Sequence, residues 1–268
     1  MFSRLKPLAL LSIFAFSPHC YSEEASKPAD AHWAFNLSLY TWLAGLNGNF
    51  SVGPLSQSVD VNFIDIVNKS RRPPLGVNGR IEANYDRFGV FLNGGYLSIR
   101  MSPAMQNFSR GLDTDLGQMD YGLSYRLFGP AAAEAPNWQG KKQPNRLDVY
   151  VGGRTLLLEN GIEIRLPLRV VAPSASHSFT SPIIGGRFIV DFTPDIFMQA
   201  DANGGGFGVD NVSFTGGITG LVGYKLSAFD IPLSIQVGYK AIRYDVNGGA
   251  MRTRATLNGP FFGLTSYW

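Results

Sequence analysis

The segment "SASHSFTS", in which serines flank His177, is the first place where side chains of this sequence could do chemistry. A histidine beside a serine can activate the hydroxyl as a nucleophile when a third, acidic group orients the imidazole. No partner acid can be identified from the sequence, and Ser176, Ser178 and Ser181 are ordinary loop residues. A histidine on a surface loop is therefore the preferred interpretation, and His177 remains a candidate catalytic residue only under an alternative one.

Charged residues at every second position of apolar segments form the second candidate set. Five basic and five acidic residues share this pattern: Arg80, Glu82, Asp120, Arg126, Asp148, Arg154, Arg187, Asp191, Asp201 and Lys240. Because alternate residues of a strand lie on one face, we expect these side chains to share a surface on which they can pair. Asp191 and Asp201 could also act as two carboxylates in acid-base chemistry, although ion pairs with arginines explain them equally well.

The segments that carry these charges alternate in the manner of β-strands. One example sets Met119, Tyr121 and Leu123 against Asp120 and Gly122, and the pattern recurs along the chain up to the final "NGPFFGLTSYW". Ten such strands are predicted, with less clear faces near 88–99 and 212–225. Twelve strands are the alternative if "NGNFSV" and "SVDVNF" form an extra membrane hairpin.

The links between strands are alternately short and long. "YDRFG" at 85–89 and "FTPDI" at 192–196 are very short and "LSAFDIP" at 226–232 is slightly longer, whereas the predicted external loops at 44–74, 101–112, 159–180 and 246–253 are generally longer and polar. Two links depart from this alternation. "GPAAAEAPNWQGKKQPN" is long although it lies at the end of the barrel with the short links, and "GGGFGVDN" is short although it lies at the end with the long links. Such alternation is typical of an up-and-down antiparallel barrel in a membrane.

The direction of the charged face distinguishes a membrane barrel from a soluble one. A dry core would bury the ten charges at several kcal/mol for each unpaired one, whereas the hydrated lumen of a lipid-facing barrel would let them pair. The preferred prediction is thus an all-β, transmembrane, antiparallel up-and-down barrel with both termini on the periplasmic side. A soluble β-barrel or sandwich with the apolar face inside is the alternative.

The N-terminus has the three-part layout of a secretory signal peptide. Arg4 and Lys6 precede an apolar run too short to span a bilayer as a helix, and cleavage after Ser22 would also remove Cys20, the single cysteine. We therefore predict a signal peptide at 1–22 and one barrel domain at 23–268. The mature chain would carry 21 basic and 20 acidic residues, so its charge gives no reason to expect a nucleic-acid partner.

These features resemble Gram-negative outer-membrane β-barrel proteins. The terminal "FFGLTSYW" looks like the signal read by the barrel-assembly machinery, in which Phe262, Leu264 and Trp268 would take part, although most members end in Phe. More narrowly, "YTWLAGLNGNF", "VDVNFIDI", "DRFGVFLNGGYLSI", "PIIGGRF", "GGGFGVDN" and "NGPFFGLT" resemble spaced motifs of a family of functionally uncharacterised outer-membrane proteins of about this length. The resemblance implies fold and location, and no activity.

The expected function is that of a non-enzymatic outer-membrane barrel, either structural or a narrow pore for small solutes. The alternatives are a lipid-hydrolysing barrel similar to lipid A deacylases, with His177 as base, and an adhesin acting through the loops at 44–74 and 159–180. No cofactor, metal site or nucleic-acid partner is expected. The expected partners are outer-membrane lipid, lipopolysaccharide at "RRPP" (71–74) and "MRTR" (251–254), and the barrel-assembly machinery during insertion.

Overall fold

The chain folds almost entirely into antiparallel strands. The computed structural model describes residues 33–64, 75–101, 110–132, 142–166, 169–171, 174–249 and 251–268. The strands are β1 (Trp33–Leu43), β2 (Gly45–Val52), β3 (Leu55–Val61), β4 (Leu75–Tyr85), β5 (Phe88–Met101), β6 (Arg110–Phe128), β7 (Arg146–Leu166), β8 (Arg169–Val171), β9 (Ser174–Asp191), β10 (Ile196–Gly206), β11 (Val212–Ala228), β12 (Ile231–Gly248) and β13 (Met251–Tyr267). The predicted signal peptide lies outside the described residues.

Ten of these strands close into a ring. β1 pairs on one edge with β4, where Trp33 lies opposite Tyr85, and on the other edge with β13, where Asn36 lies opposite Tyr267. The ring order is β1, β4, β5, β6, β7, β9, β10, β11, β12 and β13. The prediction of an all-β, ten-stranded antiparallel barrel is confirmed, and β2 and β3 form the extra hairpin without joining the ring.

The two halves of the barrel bury opposite kinds of side chain. We call the half that contains Trp33, Trp268 and the short turns the lower half, and the opposite half the upper half. In the lower half the outward side chains are large and apolar, for example Ile81, Leu123 and Phe262, which are 54–62% exposed. Together they form an apolar belt around the outside of the barrel, while the charged residues face inward.

The apolar face changes sides within single strands. In β12, Tyr239 points outward and is 49% exposed, whereas Ile242 and Tyr244 point inward and are at most 1% exposed. Arg243, between them, points outward and is exposed. Side chains keep alternating between the two faces along the whole strand, while the apolar residues change from odd to even positions. The apolar face therefore lies outside the barrel in the lower half and inside it in the upper half. The expectation of a polar interior is therefore wrong for the upper half.

The β2–β3 hairpin fills this upper interior. Phe50 is fully buried and Leu46 is 1% exposed, and they join one apolar cluster with inward residues of β5, β6, β7, β9, β11, β12 and β13. The hairpin pairs with β13 and also approaches β7, which lies far from β13 around the ring. Its other face carries Asn47 and Asn49, which are exposed. The hairpin thus packs its apolar face across the lumen and leaves its polar face to solvent.

A close backbone approach marks the point where the chain turns from β1 into this hairpin. A Cβ added to Gly259 would lie 1.8 Å from the carbonyl oxygen of Leu43, so only glycine fits there. The Trp42 indole N–H donates to the Gly259 carbonyl at 3.1 Å, and Ala44 next to it is fully buried. β13 therefore changes partner here, from β1 below to β2 above.

A segment between β6 and β7 contributes to the lower mouth of the barrel. Arg126 donates to the Pro130 carbonyl at 2.7 Å, Ala132 N–H donates to the Asp86 carbonyl at 2.9 Å, and Gln143 N–H donates to an Asp191 carboxylate oxygen at 2.9 Å. These contacts hold the two described ends of the long link, 129–132 and 142–145, against the short-turn end. No helix among the described residues is both long and apolar enough to cross a membrane.

Candidate functional site in the barrel interior

A polar cavity of about 100 Å³ lies inside the barrel below the apolar cluster. Its wall includes Arg80, Asp120, Arg154, Asp201 and Lys240, five of the ten charged residues singled out in the sequence. Ile242 and Phe261 also line the cavity, and both belong to the apolar cluster of the upper half. The cavity is therefore bounded by charged groups and by the base of the hydrophobic plug.

A chain of ion pairs crosses the lumen in the lower half. Arg187, which is 6% exposed, contacts Glu82 at 2.6 Å and Asp148 at 3.1 Å. Arg80 contacts the same Glu82 oxygen at 2.5 Å, and Arg126 contacts Asp148 at 2.9 Å. These side chains come from four strands, β4, β6, β7 and β9, and β4 and β9 are four strands apart in the ring, so the pairs connect facing walls of the barrel from within.

Arg154 forms the second cluster, beside the central cavity. It makes two parallel hydrogen bonds to Asp120, at 2.7 and 2.8 Å, the bidentate geometry that is strongest for an arginine and a carboxylate. Two of its three other N–H bonds donate to the Thr215 hydroxyl and the Asn203 amide oxygen, both at 3.0 Å. Arg154 is 1% exposed, so all these interactions take place away from bulk solvent.

The structure places Asp191 and Asp201 apart. Asp191 pairs with Lys225 near the lower mouth, whereas Asp201 accepts a hydrogen bond from the Tyr150 hydroxyl at 2.7 Å. Asp191 lies opposite Phe197, four residues before Asp201, which corresponds to about 13 Å along the strand. The two carboxylates are thus not arranged as a general acid and base.

Lys240 is the charged residue with the most unusual surroundings. It is 8% exposed, and its ammonium donates to the Tyr40 hydroxyl at 3.1 Å. The same ammonium lies 5.1 Å from the ring centroids of Tyr40 and Trp42, within the range of a cation–π interaction. Among the residues that the structure describes, Lys240 forms no ion pair with a carboxylate.

Several interior residues were missed in the sequence. Arg146 and Lys225 add two more cations, and the Tyr40 and Tyr150 hydroxyls hold charged partners. Leu221, Gly223 and Lys225 are alternate residues of one strand. This spacing could have placed Lys225 on the inward face together with Leu221. Tyrosine gave no such signal, because its hydroxyl suits an interior network and a membrane interface equally well.

His177 lies away from this cavity, at the upper end of β9, so the expectation of a surface loop at His177 and its neighbouring serines is wrong. Its ring is 4.6 Å from that of Phe179, which is fully buried, and a Cβ on Gly248 of β12 would lie 3.1 Å from its Cδ2. Ser176 and Ser178 alternate with it and therefore point to the opposite face. Within the described part of the chain, no hydrogen bond joins His177 to a serine or an acid.

The remaining predicted positions lie on the outer surface. Phe262, Leu264 and Trp268 are 44–57% exposed and belong to the outer belt. Arg252 and Arg254 lie within β13 rather than in a loop, and Arg254 pairs with Asp245 at 2.6 Å. "RRPP" lies outside the described residues. The described residues contain no group of three or more His, Cys, Asp or Glu side chains that could hold a metal ion.

Comparisons with known proteins give likenesses of fold. No protein-family model matches the chain, and no curated protein matches it. Structural neighbours are Gram-negative outer-membrane β-barrels. OmpT, the outer membrane protease of Escherichia coli, has a TM-score of 0.49 at 8% identity, with 88% of this chain and 97% of OmpT covered. Ail, the attachment invasion locus protein of Yersinia pestis, in complex with a heparin analogue, has a TM-score of 0.37 at 8% identity, with 88% and 99% covered.

Neisserial surface protein A is a third neighbour, with a TM-score of 0.31 at 11% identity and 87% of this chain and 97% of that chain covered. These values carry no argument about the activity of this chain. The narrower resemblance to a family of uncharacterised outer-membrane proteins stays a prediction.

Proposed function

We propose that this chain is a non-enzymatic outer-membrane β-barrel of a Gram-negative bacterium. Its role is structural, and it is not a permanently open pore, because the β2–β3 hairpin closes its lumen. The apolar belt of the lower half supports the membrane location, because soluble proteins rarely expose contiguous apolar patches of more than a few hundred Å². A closed ring also leaves no unpaired strand edge in lipid. The polar outer face of the upper half would then project from the cell surface.

The single observation that carries the closed state is the burial of the hairpin in the lumen. Leu46, Phe50 and Val52 are at most 6% exposed, and the cluster they join includes inward residues from most of the ring. Interiors packed in this way leave few voids larger than a water molecule. Ions moving through the lumen would have to displace this apolar packing.

Conductance in planar lipid bilayers tests the proposal. We expect the purified full-length barrel to insert without producing current steps above the background of protein-free detergent. Insertion should be verified independently, by the change in gel mobility between unheated and boiled samples. Sustained steps at low voltage from verified, folded protein would overturn the closed-lumen proposal.

A narrow, gated pore is the second candidate, and one observation favours it. Gln199 lines both the central cavity and a second cavity of about 120 Å³ at the lower mouth, so the two polar spaces adjoin. A gated pore would give occasional steps whose frequency depends on voltage. Absence of steps at every voltage below bilayer rupture would eliminate this candidate.

The geometry gives less support to a lipid hydrolase or an adhesin. A lipid hydrolase needs a nucleophile and an acid that are hydrogen-bonded to a base such as His177. Serines and acids line the same surface cavity as His177, but among the described residues no hydrogen bond joins His177 to any of them. The lipid A profile of a deletion strain should therefore equal that of the wild type. The adhesin alternative relies on loops at 44–74 and 159–180, but the first range contains the β2–β3 hairpin and the second contains β8 and parts of β7 and β9. Two expectations stay proposals from the sequence: the contact of "MRTR" with lipopolysaccharide, and the reading of Phe262, Leu264 and Trp268 by the barrel-assembly machinery.

A further inference from the structure

Three polar residues form a row across one wall of the central cavity. Asp201 of β10 lies opposite Thr219 of β11, and Thr219 lies opposite Lys240 of β12. All three side chains line the cavity. Neighbouring strands are about 4.8 Å apart, so the Cα atoms of Asp201 and Lys240 are separated by about 10 Å, with the threonine between them.

The two charges at the ends of the row are directed away from each other. Asp201 accepts the Tyr150 hydroxyl at 2.7 Å, and the Asn203 amide donates to that same hydroxyl at 3.2 Å. On the other side Lys240 donates to the Tyr40 hydroxyl at 3.1 Å, which itself donates to the Asn93 side-chain oxygen at 3.2 Å. Each charge is thus held by a tyrosine on a different wall.

The result is a carboxylate and an ammonium that face one space without neutralising each other. Within the described residues Asp201 and Lys240 form no ion pair, although they stand at the same level two strands apart. The other two cations of the cavity differ in this respect, because Arg154 forms an ion pair with Asp120 and Arg80 forms one with Glu82. Tyr40 and two aromatic rings stabilise the Lys240 ammonium, and Tyr150 stabilises the half-buried Asp201 carboxylate, but neither charge has a direct ion-pair partner among the described residues. A charge-assisted contact with an opposite charge would stabilise each of them further.

The size of the cavity limits which molecule could supply both ion-pair partners. About 100 Å³ corresponds to about three water molecules at their volume in the liquid, or to one solute of that size. A lone anion would satisfy Lys240 only, and a lone cation would satisfy Asp201 only. A small molecule with both charges satisfies both.

We propose that the central cavity binds a small zwitterion of the α-amino-acid type, with its carboxylate on the Lys240 ammonium and its ammonium on the Asp201 carboxylate. The Thr219 hydroxyl lies between the two and can hydrogen-bond to either end. Access is from the lower mouth, where the second cavity adjoins the first at Gln199. This inference goes beyond the closed-lumen proposal, since the plug lies on the other side of the cavity.

Calorimetric titration of the folded barrel in detergent tests the proposal, with glycine as zwitterion, acetate as anion and methylammonium as cation. We expect saturable glycine binding at one site, with acetate and methylammonium weaker by about 10-fold or more, because each lacks one charge-assisted contact. Lys240→Met and Asp201→Asn should each weaken glycine binding by a similar factor. Lys240→Arg, which keeps the charge, should retain part of it.

Arg243→Gln is the matched control, because it removes one positive charge from the outward face of the same strand. Its glycine affinity should equal that of the wild type, and each variant is checked for folding by gel mobility. Equal binding of acetate and glycine would show a simple anion site and overturn the proposal. Absence of glycine binding, or unchanged binding in folded Lys240→Met, would overturn it as well. None of these outcomes depends on whether the barrel conducts ions.

Discussion

Replacing Arg154 with methionine is expected to lower the free energy of unfolding by about 3–5 kcal/mol, because it leaves the Asp120 carboxylate buried without its ion-pair partner and with only the Gln118 amide, among the described residues, donating to it. Arg154 also loses its bonds to Thr215 and Asn203 in this variant, so three polar groups lose a partner at once. Urea unfolding in detergent micelles, followed by tryptophan fluorescence, measures the effect. The double variant Arg154→Met/Asp120→Leu should be less destabilised than the sum of its single changes, since it leaves no unpaired charge.

Arg254→Met serves as the matched control for this experiment. Arg254 also pairs with an aspartate, Asp245, at 2.6 Å, but its side chain is 53% exposed. Exposed pairs of this kind contribute about 0–1 kcal/mol. If Arg154→Met and Arg254→Met cost the same, the buried network contributes no more to the stability of the barrel than a surface ion pair does.

Removing the β2–β3 hairpin is expected to convert a barrel that passes no ionic current, which we call silent, into one that conducts ions. Replacing residues 46–61 with a short glycine-serine linker takes Phe50 and its buried neighbours out of the lumen. The ring should persist, because β1 remains paired with β4 from Trp33 to Leu43 and with β13 from Asn36 to Trp42. We expect discrete current steps in planar bilayers, of small size, since a ten-stranded ring is only slightly wider than the eight-stranded kind that side chains fill.

The control for the deletion changes the hairpin without removing its apolar face. Asn47→Ala/Asn49→Ala alters the exposed side only, and it should stay as silent as the wild type. A folded deletion variant that remains silent would show that something other than the hairpin closes the lumen. The lower-mouth segment held by Pro130 and Gln143 would then be the next position to test.

The strands and the ring were predictable because alternation in the lower half is clear and continuous. The upper half was less predictable, since its strands change the apolar position from odd to even. In β5, Val90 and Leu92 point outward while Leu97 and Ile99 point inward, which explains why that strand showed no clean face. The shift from Tyr239 to Ile242 in β12 is the same signal, and it marks the level at which the apolar face moves from the outside of the barrel to the inside.

The role of the β2–β3 hairpin could not be deduced from alternation. Its residues alternate like those of a membrane hairpin, and the prediction of twelve strands followed from that. What decides the difference is long-range packing, namely whether Phe50 meets lipid or the inward residues of the opposite wall. Likewise the sequence placed the charges on one face, but which ones pair depends on the stagger of the strands. Asp191 meets Lys225, and Asp201 meets the Tyr150 hydroxyl.

Thiol labelling in intact cells is the most direct test of the central claim that the hairpin closes the lumen toward the cell surface. The sequence's one cysteine lies in the segment predicted to be removed, so Thr219→Cys would introduce a single thiol in the central cavity. Arg243→Cys, on the exposed outer face above the belt, is the reference. Treated with a small membrane-impermeant thiol reagent from outside, Arg243→Cys should react quickly and Thr219→Cys should not, until residues 46–61 are removed. Equal rates at the two positions with the hairpin in place would contradict the closed lumen.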